Sequence, residues 1–144
     1  MTEVSNVEFR IRHPFDDTNE GLGNLQYRAG FEDWDAPGAF VIQLEEALGY
    51  DEDGGTVLWS PIARFDHLRP HDVFDPADGL HIDLYRREEQ GYTHLDLGVH
   101  LEPRDPLAAF TRLQRVFESE QNRQALVAYY VDDRSRFAPE DLRL

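Results

Sequence analysis

Five residues in the stretch LHIDLYRREEQGYTHLDLGVHL, residues 80 to 101, have side chains suited to chemistry: His81, Asp83, His94, Asp96 and His100. An imidazole changes charge near neutral pH, and a carboxylate beside it fixes its orientation, which is the basis of general acid–base catalysis. Neutral imidazoles and ionised carboxylates are also ligands for divalent metals. Three readings follow. In the first, His81, Asp83, His94 and Asp96 form a metal-free acid–base centre, with Arg64 or Arg86 holding a phosphate and Tyr85 beside them. In the second, His67, His71, His81 and Asp83 hold a divalent metal. In the third, the histidines and aspartates only pair with one another on a wet sheet face. No standard metal spacing such as HExxH occurs.

What positions these residues is strict alternation. Leu80, Ile82 and Leu84, then Leu95, Leu97 and Val99, fall at period two, the pattern of half-buried strands. Gly91 marks the turn between them. Any loop of even length places the apolar residues of both strands on one face and the His and Asp residues on the other, and burial favours that outcome. A four-residue loop at 87 to 90 sets Asp83 against His94 and His81 against Asp96. A two-residue loop at Glu89 and Gln90 sets Asp83 against Asp96, a repulsive pair unless a cation or a proton lies between.

Elsewhere, VEFRIRH at residues 7 to 13 and AFVIQLEE at 39 to 46 read as strands, and LQYRAGF is a weaker candidate. TVLWSPIARFD, residues 56 to 66, contains Pro61, which requires an edge strand or a bulge. HLRPHDVFDPADG, from His67 to Gly79, is a loop. Asp105 is a good N-cap and Pro106 suits the first helical position. Leu107, Phe110, Leu113 and Phe117 then form an apolar stripe that continues into QALVAYYV, with Ser119 to Asn122 the place where a break would fall. Trp34, Trp59, Tyr129 and Tyr130 read as packing residues. DEDGG resembles the start of a calcium loop, but Ile62 stands where the bidentate Glu should be.

Composition sets the limits on function. The 144 residues suit a single domain, with a core over about residues 5 to 131 and a polar tail at 132 to 144. No apolar run approaches the ~18 residues needed to cross a bilayer, and the first residues lack the order of a secretion signal. A soluble, cytoplasmic protein is expected. No cysteine is present, so disulfides and Cys-ligated zinc or iron–sulfur centres are excluded. The formal net charge is −15, and all 14 basic residues are arginine. Such a surface suits molar salt, where the screening length falls to ~3 Å and self-repulsion weakens. General binding to nucleic acid is disfavoured by this charge, although a local arginine can still contact RNA.

FVIQLEE, WSPIARFDH, PHDV and GLHIDLYR together resemble a family of small haloarchaeal proteins known only as a domain of unknown function. Its members carry a strand like FVVQLE, a segment like VVRYDHD, a GGHDV loop and GLHxDVYR before a C-terminal helix. The likeness spans roughly residues 39 to 130. It implies that Arg64, Asp66, His67, His71, Asp72, His81, Asp83, Tyr85 and Arg86 fall on motif positions. Phe65 stands where tyrosine is usual, and Pro70 replaces the glycine before His71. A looser likeness connects RFDH and the histidines after it to TumE-like toxins of toxin–antitoxin systems, whose asparagine is His67 here.

The sequence therefore predicts an α+β domain: an antiparallel sheet of four to five strands, one face covered by a single long C-terminal helix and the other partly open. Its expected role is that of an accessory or interaction protein with a protein partner, one half of a toxin–antitoxin-like or regulatory pair. The rival expectation is a His/Asp-centred nuclease or phosphoesterase, with or without a divalent metal.

Overall fold

The computed structural model describes residues 6–17, 21–51, 53–67, 80–87, 89–98 and 105–144. Among these residues, six strands form one antiparallel sheet in chain order: β1 (Glu8–Phe15), β2 (Leu25–Phe31), β3 (Phe40–Tyr50), β4 (Val57–His67), β5 (His81–Leu84) and β6 (Thr93–Asp96). Two helices follow, α1 (Pro106–Glu118) and α2 (Glu120–Val131), then a short 3₁₀ turn at Pro139–Asp141. Among the described residues, no helix is long and apolar enough to cross a membrane.

The α+β architecture is the expected one, and two of its details are corrected. The sheet has six strands rather than four or five, because LQYRAGF is a full strand, β2, paired with both β1 and β3. Six of its seven residues are buried, so both of its faces are covered and it lacks the alternation that marks a half-exposed strand. The single long helix is two helices. Ser119 adopts an extended conformation (φ −79°, ψ 120°), and its Oγ accepts from the Asn122 N–H at 3.3 Å, so the residue that ends α1 also caps α2. Asp105 caps α1 as expected, accepting from the Ala108 N–H at 3.0 Å.

Both helices contribute to one core with the sheet. Tyr27, Phe31, Phe40, Ile42, Leu44, Phe65, Ile82 and Leu84 face Phe110, Leu113, Phe117, Leu126 and Tyr130, all buried. Leu107, expected in the helical stripe, is 53% exposed and lies off the core. Pro61 is accommodated by a bulge: Leu44 pairs with Ala63 and Glu45 with Pro61, which leaves Ile62 as the extra residue. Residues 132–144, read from the sequence as a polar tail, dock onto α2. Leu142 is buried, and the Asn122 side chain donates to the Arg143 carbonyl at 2.7 Å and accepts from the Arg143 N–H at 2.8 Å. Arg123, on α2, donates to both Asp17 oxygens at 2.6 and 2.8 Å and lies 3.8 Å over the Phe15 ring, tying the end of β1 to the helices.

Strand β5 pairs with β4, with Arg64 opposite Asp83, and with β6, with His81 opposite Asp96, Ile82 opposite Leu95, Asp83 opposite His94 and Leu84 opposite Thr93. This is the register of the four-residue loop. Gly91 takes a left-handed conformation in the turn (φ 83°), and Tyr85 and Tyr92 face each other across it with ring centroids 5.7 Å apart. The sheet therefore has a face covered by helices and an opposite face rich in polar groups.

Candidate functional site

On the face away from the helices, one cross-strand row brings Arg64, Asp83 and His94 together. The Asp83 carboxylate is only 12% exposed, whereas the His94 side chain is 55% exposed. Their contact, His94 Nδ1 to Asp83 Oδ1, is 3.0 Å. An ionised carboxylate only accepts, so Nδ1 carries the proton and Nε2 is left as the free lone pair of the neutral ring. The His81 ring lies tilted against His94, with centroids 4.1 Å apart, two residue pairs along the ladder. Arg64 lies 3.4 Å from Asp66, and its charge acts on the nearby Tyr85 hydroxyl.

The electrostatics of the cluster follow from partial burial. Loss of water raises the Asp83 pKa above the usual carboxylate value, against the hydrogen bond from His94 and the charges of His94, His81 and Arg64, all of which pull it down. Burial also raises the Tyr85 hydroxyl, opposed by the hydrogen bond and charge of Arg64. A carboxylate in a fully wetted pair would not carry this desolvation cost. The arrangement can orient an imidazole, hold its positive form after it takes a proton, and pass that proton on.

The other residues expected at the site are distributed as follows. Asp96 is exposed and accepts from the Gly98 N–H at 2.8 Å, so it shapes the end of β6. Arg86 does not join the cluster. Its guanidinium donates to the carbonyls of Tyr129 at 3.1 Å, Ser135 at 2.7 Å and Asp132, and stacks 3.9 Å from the Tyr129 ring, closing the C-terminal end of α2. His67 pairs with Phe40 and lies tilted against its ring at 5.7 Å, on the sheet face that carries the core and away from Asp83. His71, Asp72 and His100 lie outside the described residues. Among the described residues, no three His, Asp or Glu side chains are placed to hold a metal ion together.

Two charged clusters were missed from the sequence. Glu45 is fully buried beside the site face and accepts from Gln26 at 2.6 Å, Arg28 at 3.0 Å and Gln43 at 2.8 Å. Glu46 is fully buried on the other side of the sheet, accepting from Tyr130 at 2.6 Å, the Gly23 N–H at 2.9 Å and Arg87 at 3.1 Å. Their partners lie up to 84 residues away, beyond the reach of any local pattern. The one available signal was two adjacent acids within an otherwise largely apolar strand. No protein-family model, curated protein or solved structure matches the chain.

Proposed function

We propose that the His81, Asp83 and His94 cluster is a metal-independent acid–base centre that hydrolyses a compact phosphate ester or a short RNA end. The observation that carries this reading is the nearly buried Asp83 carboxylate held 3.0 Å behind the exposed His94 imidazole. His94 acts as the base that takes a proton from the water attacking phosphorus, with Asp83 fixing its tautomer and stabilising the imidazolium it becomes. The adjacent His81 is the partner acid that protonates the leaving oxygen as its bond to phosphorus breaks. Arg64 and Tyr85 are the polar groups that approach the developing charge. A long polyanion is disfavoured, because the formal net charge is −15 and Asp66 and Asp96 border the cluster.

A second reading, an interaction protein in a toxin–antitoxin-like or regulatory pair, is favoured by one separate observation. Leu58, Leu107 and Val131 are 46%, 53% and 48% exposed, apolar side chains left outside the core that a partner would cover. The two readings are compatible if the enzyme is the toxin of a cytoplasmic pair.

The test is hydrolysis of bis(p-nitrophenyl) phosphate and of a short RNA in molar salt with EDTA present. Wild-type protein is expected to turn over at least one of them, and His94→Gln is expected to lose about 10²–10⁴-fold. Activity that EDTA abolishes, or that survives His94→Gln, contradicts the proposal. Growth inhibition that survives His94→Gln would instead support the pair without the enzyme.

A further inference from the structure

A cavity of about 510 Å³ opens at the far end of the β3–β4 hairpin, and none of its lining residues belongs to the histidine–aspartate cluster. Its walls include Leu48, Tyr50, Val57 and Trp59. Among the described residues that line it, Arg87 is the one that carries a charge. We propose that this cavity binds a small free aromatic carboxylate of one or two rings.

Three observations point to that chemistry. The first is size and surface. The volume lies within the ~300–1,000 Å³ typical of small-molecule sites, and a Trp and a Tyr beside aliphatic groups suit a flat apolar body. In a chain this acidic, Tyr50 at 70% and Leu48 at 55% exposure form an apolar surface that a ligand would cover.

The second is how Arg87 is held. Glu46, fully buried, meets Arg87 Nε at 3.0 Å and Nη2 at 3.1 Å, so the guanidinium is fixed along one edge before any ligand arrives. The Glu46 charge is also answered by the Tyr130 hydroxyl and the Gly23 N–H. A guanidinium has five N–H donors, and Arg87, with its side chain 36% exposed beside the cavity, keeps donor capacity for a second carboxylate.

The third is the construction of the rim. A Cβ at Gly23 would stand 2.0 Å from the Ala47 carbonyl oxygen, so only glycine lets this loop approach β3 closely enough to deliver its N–H to Glu46. The anion holder is thus built from three separate segments, residues 23, 46 and 87, with Tyr130 of α2 behind them. An ion pair that only closed the fold would not need its Arg to line an aromatic-walled cavity.

The experiment is an NMR titration of the full chain in molar salt with 2-naphthoate, with its neutral amide 2-naphthamide as the paired probe. The expected result is saturable shifts at the Gly23 and Gly49 amides and the Trp59 indole N–H. The amide is expected to bind about tenfold more weakly, from loss of a charge-assisted hydrogen bond. Tyr50→Ala, at an exposed position where folding is not at risk, and Trp59→Leu are each expected to weaken 2-naphthoate about five- to tenfold. Shifts that fail to saturate, equal affinity for acid and amide, or affinity unchanged in both variants would overturn the proposal.

Discussion

Asp83 and Glu46 are both withdrawn from water on the same sheet, and their surroundings differ in kind. Glu46 is fully buried, and donors from Gly23, Arg87 and Tyr130 occupy both of its oxygens. Asp83 keeps 12% exposure, and its hydrogen-bond donor is a titratable ring that is itself 55% exposed. A carboxylate answered on every side by fixed donors holds a fold together. A carboxylate that orients one accessible imidazole can move a proton. In the proposed reading, the same residue chemistry serves structure at Glu45 and Glu46 and reactivity at Asp83.

Substitutions that remove each carboxylate, or the group that answers it, should separate these roles. The largest expected effect lies at a third carboxylate that marks the structural extreme, Asp17 with Arg123, whose side chains are 15% and 7% exposed. Arg123→Ala should cost about 3–5 kcal/mol by urea denaturation, because it leaves Asp17 unpaired. The Arg123 hydrogen bonds hold the Asp17 carboxyl below the usual carboxylate range. Its contribution is therefore present above the unfolded value and is lost as pH falls through the folded one, so Arg123→Ala should flatten the acid limb of stability below about pH 4.

Glu46→Ala should cost somewhat less, about 3 kcal/mol, because Arg87 reaches water and is not stranded in a dry interior. Tyr130→Phe removes the hydroxyl shared by Glu46 and Ser60 and should cost about 1–2 kcal/mol. Burial first, then the Glu46 carboxylate, pushes the Tyr130 hydroxyl up to about 12. Its neutral form is the one the fold favours, so its contribution is present below about pH 10 and is lost as pH rises toward 12. Stability of Tyr130→Phe should fall less steeply over that alkaline window.

The smallest effect on stability is expected at Asp83. Its raised pKa means the fold disfavours the ionised form, so the contribution of Asp83 is present below the unfolded carboxylate value and is lost as pH rises through the folded one. Asp83→Asn should therefore change stability at neutral pH by about 1 kcal/mol or less, while lowering hydrolysis in the assay used for His94→Gln. A loss of stability as large as that of Glu46→Ala would place Asp83 with the structural carboxylates.

The parts of this molecule legible in the sequence are those set by local periodicity. Alternation through residues 80 to 84 and 93 to 97 placed Ile82 and Leu95 on one face and His81, Asp83 and His94 on the other, as the register has it. Asp105, Pro106 and the polar break at Ser119 were readable because capping depends on neighbouring residues. Strand β2 was hard to read because burial on both faces erases alternation, and α2 because it buries Asn122 and Arg123 among its apolar residues. Arg86 read as a phosphate ligand because a guanidinium in sequence gives no sign that backbone carbonyls more than 40 residues away will occupy it. His67 stands next to Asp66 in sequence but on the opposite sheet face, a consequence of the same alternation once β4 is known to run through it.

The central claim is that Asp83 holds His94 with Nδ1 protonated and Nε2 available. Side-chain ¹⁵N NMR of the histidines at a pH where the rings are neutral tests it directly. The expected spectrum shows His94 with its proton on Nδ1 in the wild type and a mixture of tautomers in Asp83→Ala. A wild-type His94 protonated on Nε2, or a tautomer ratio that Asp83→Ala leaves unchanged, would contradict the account.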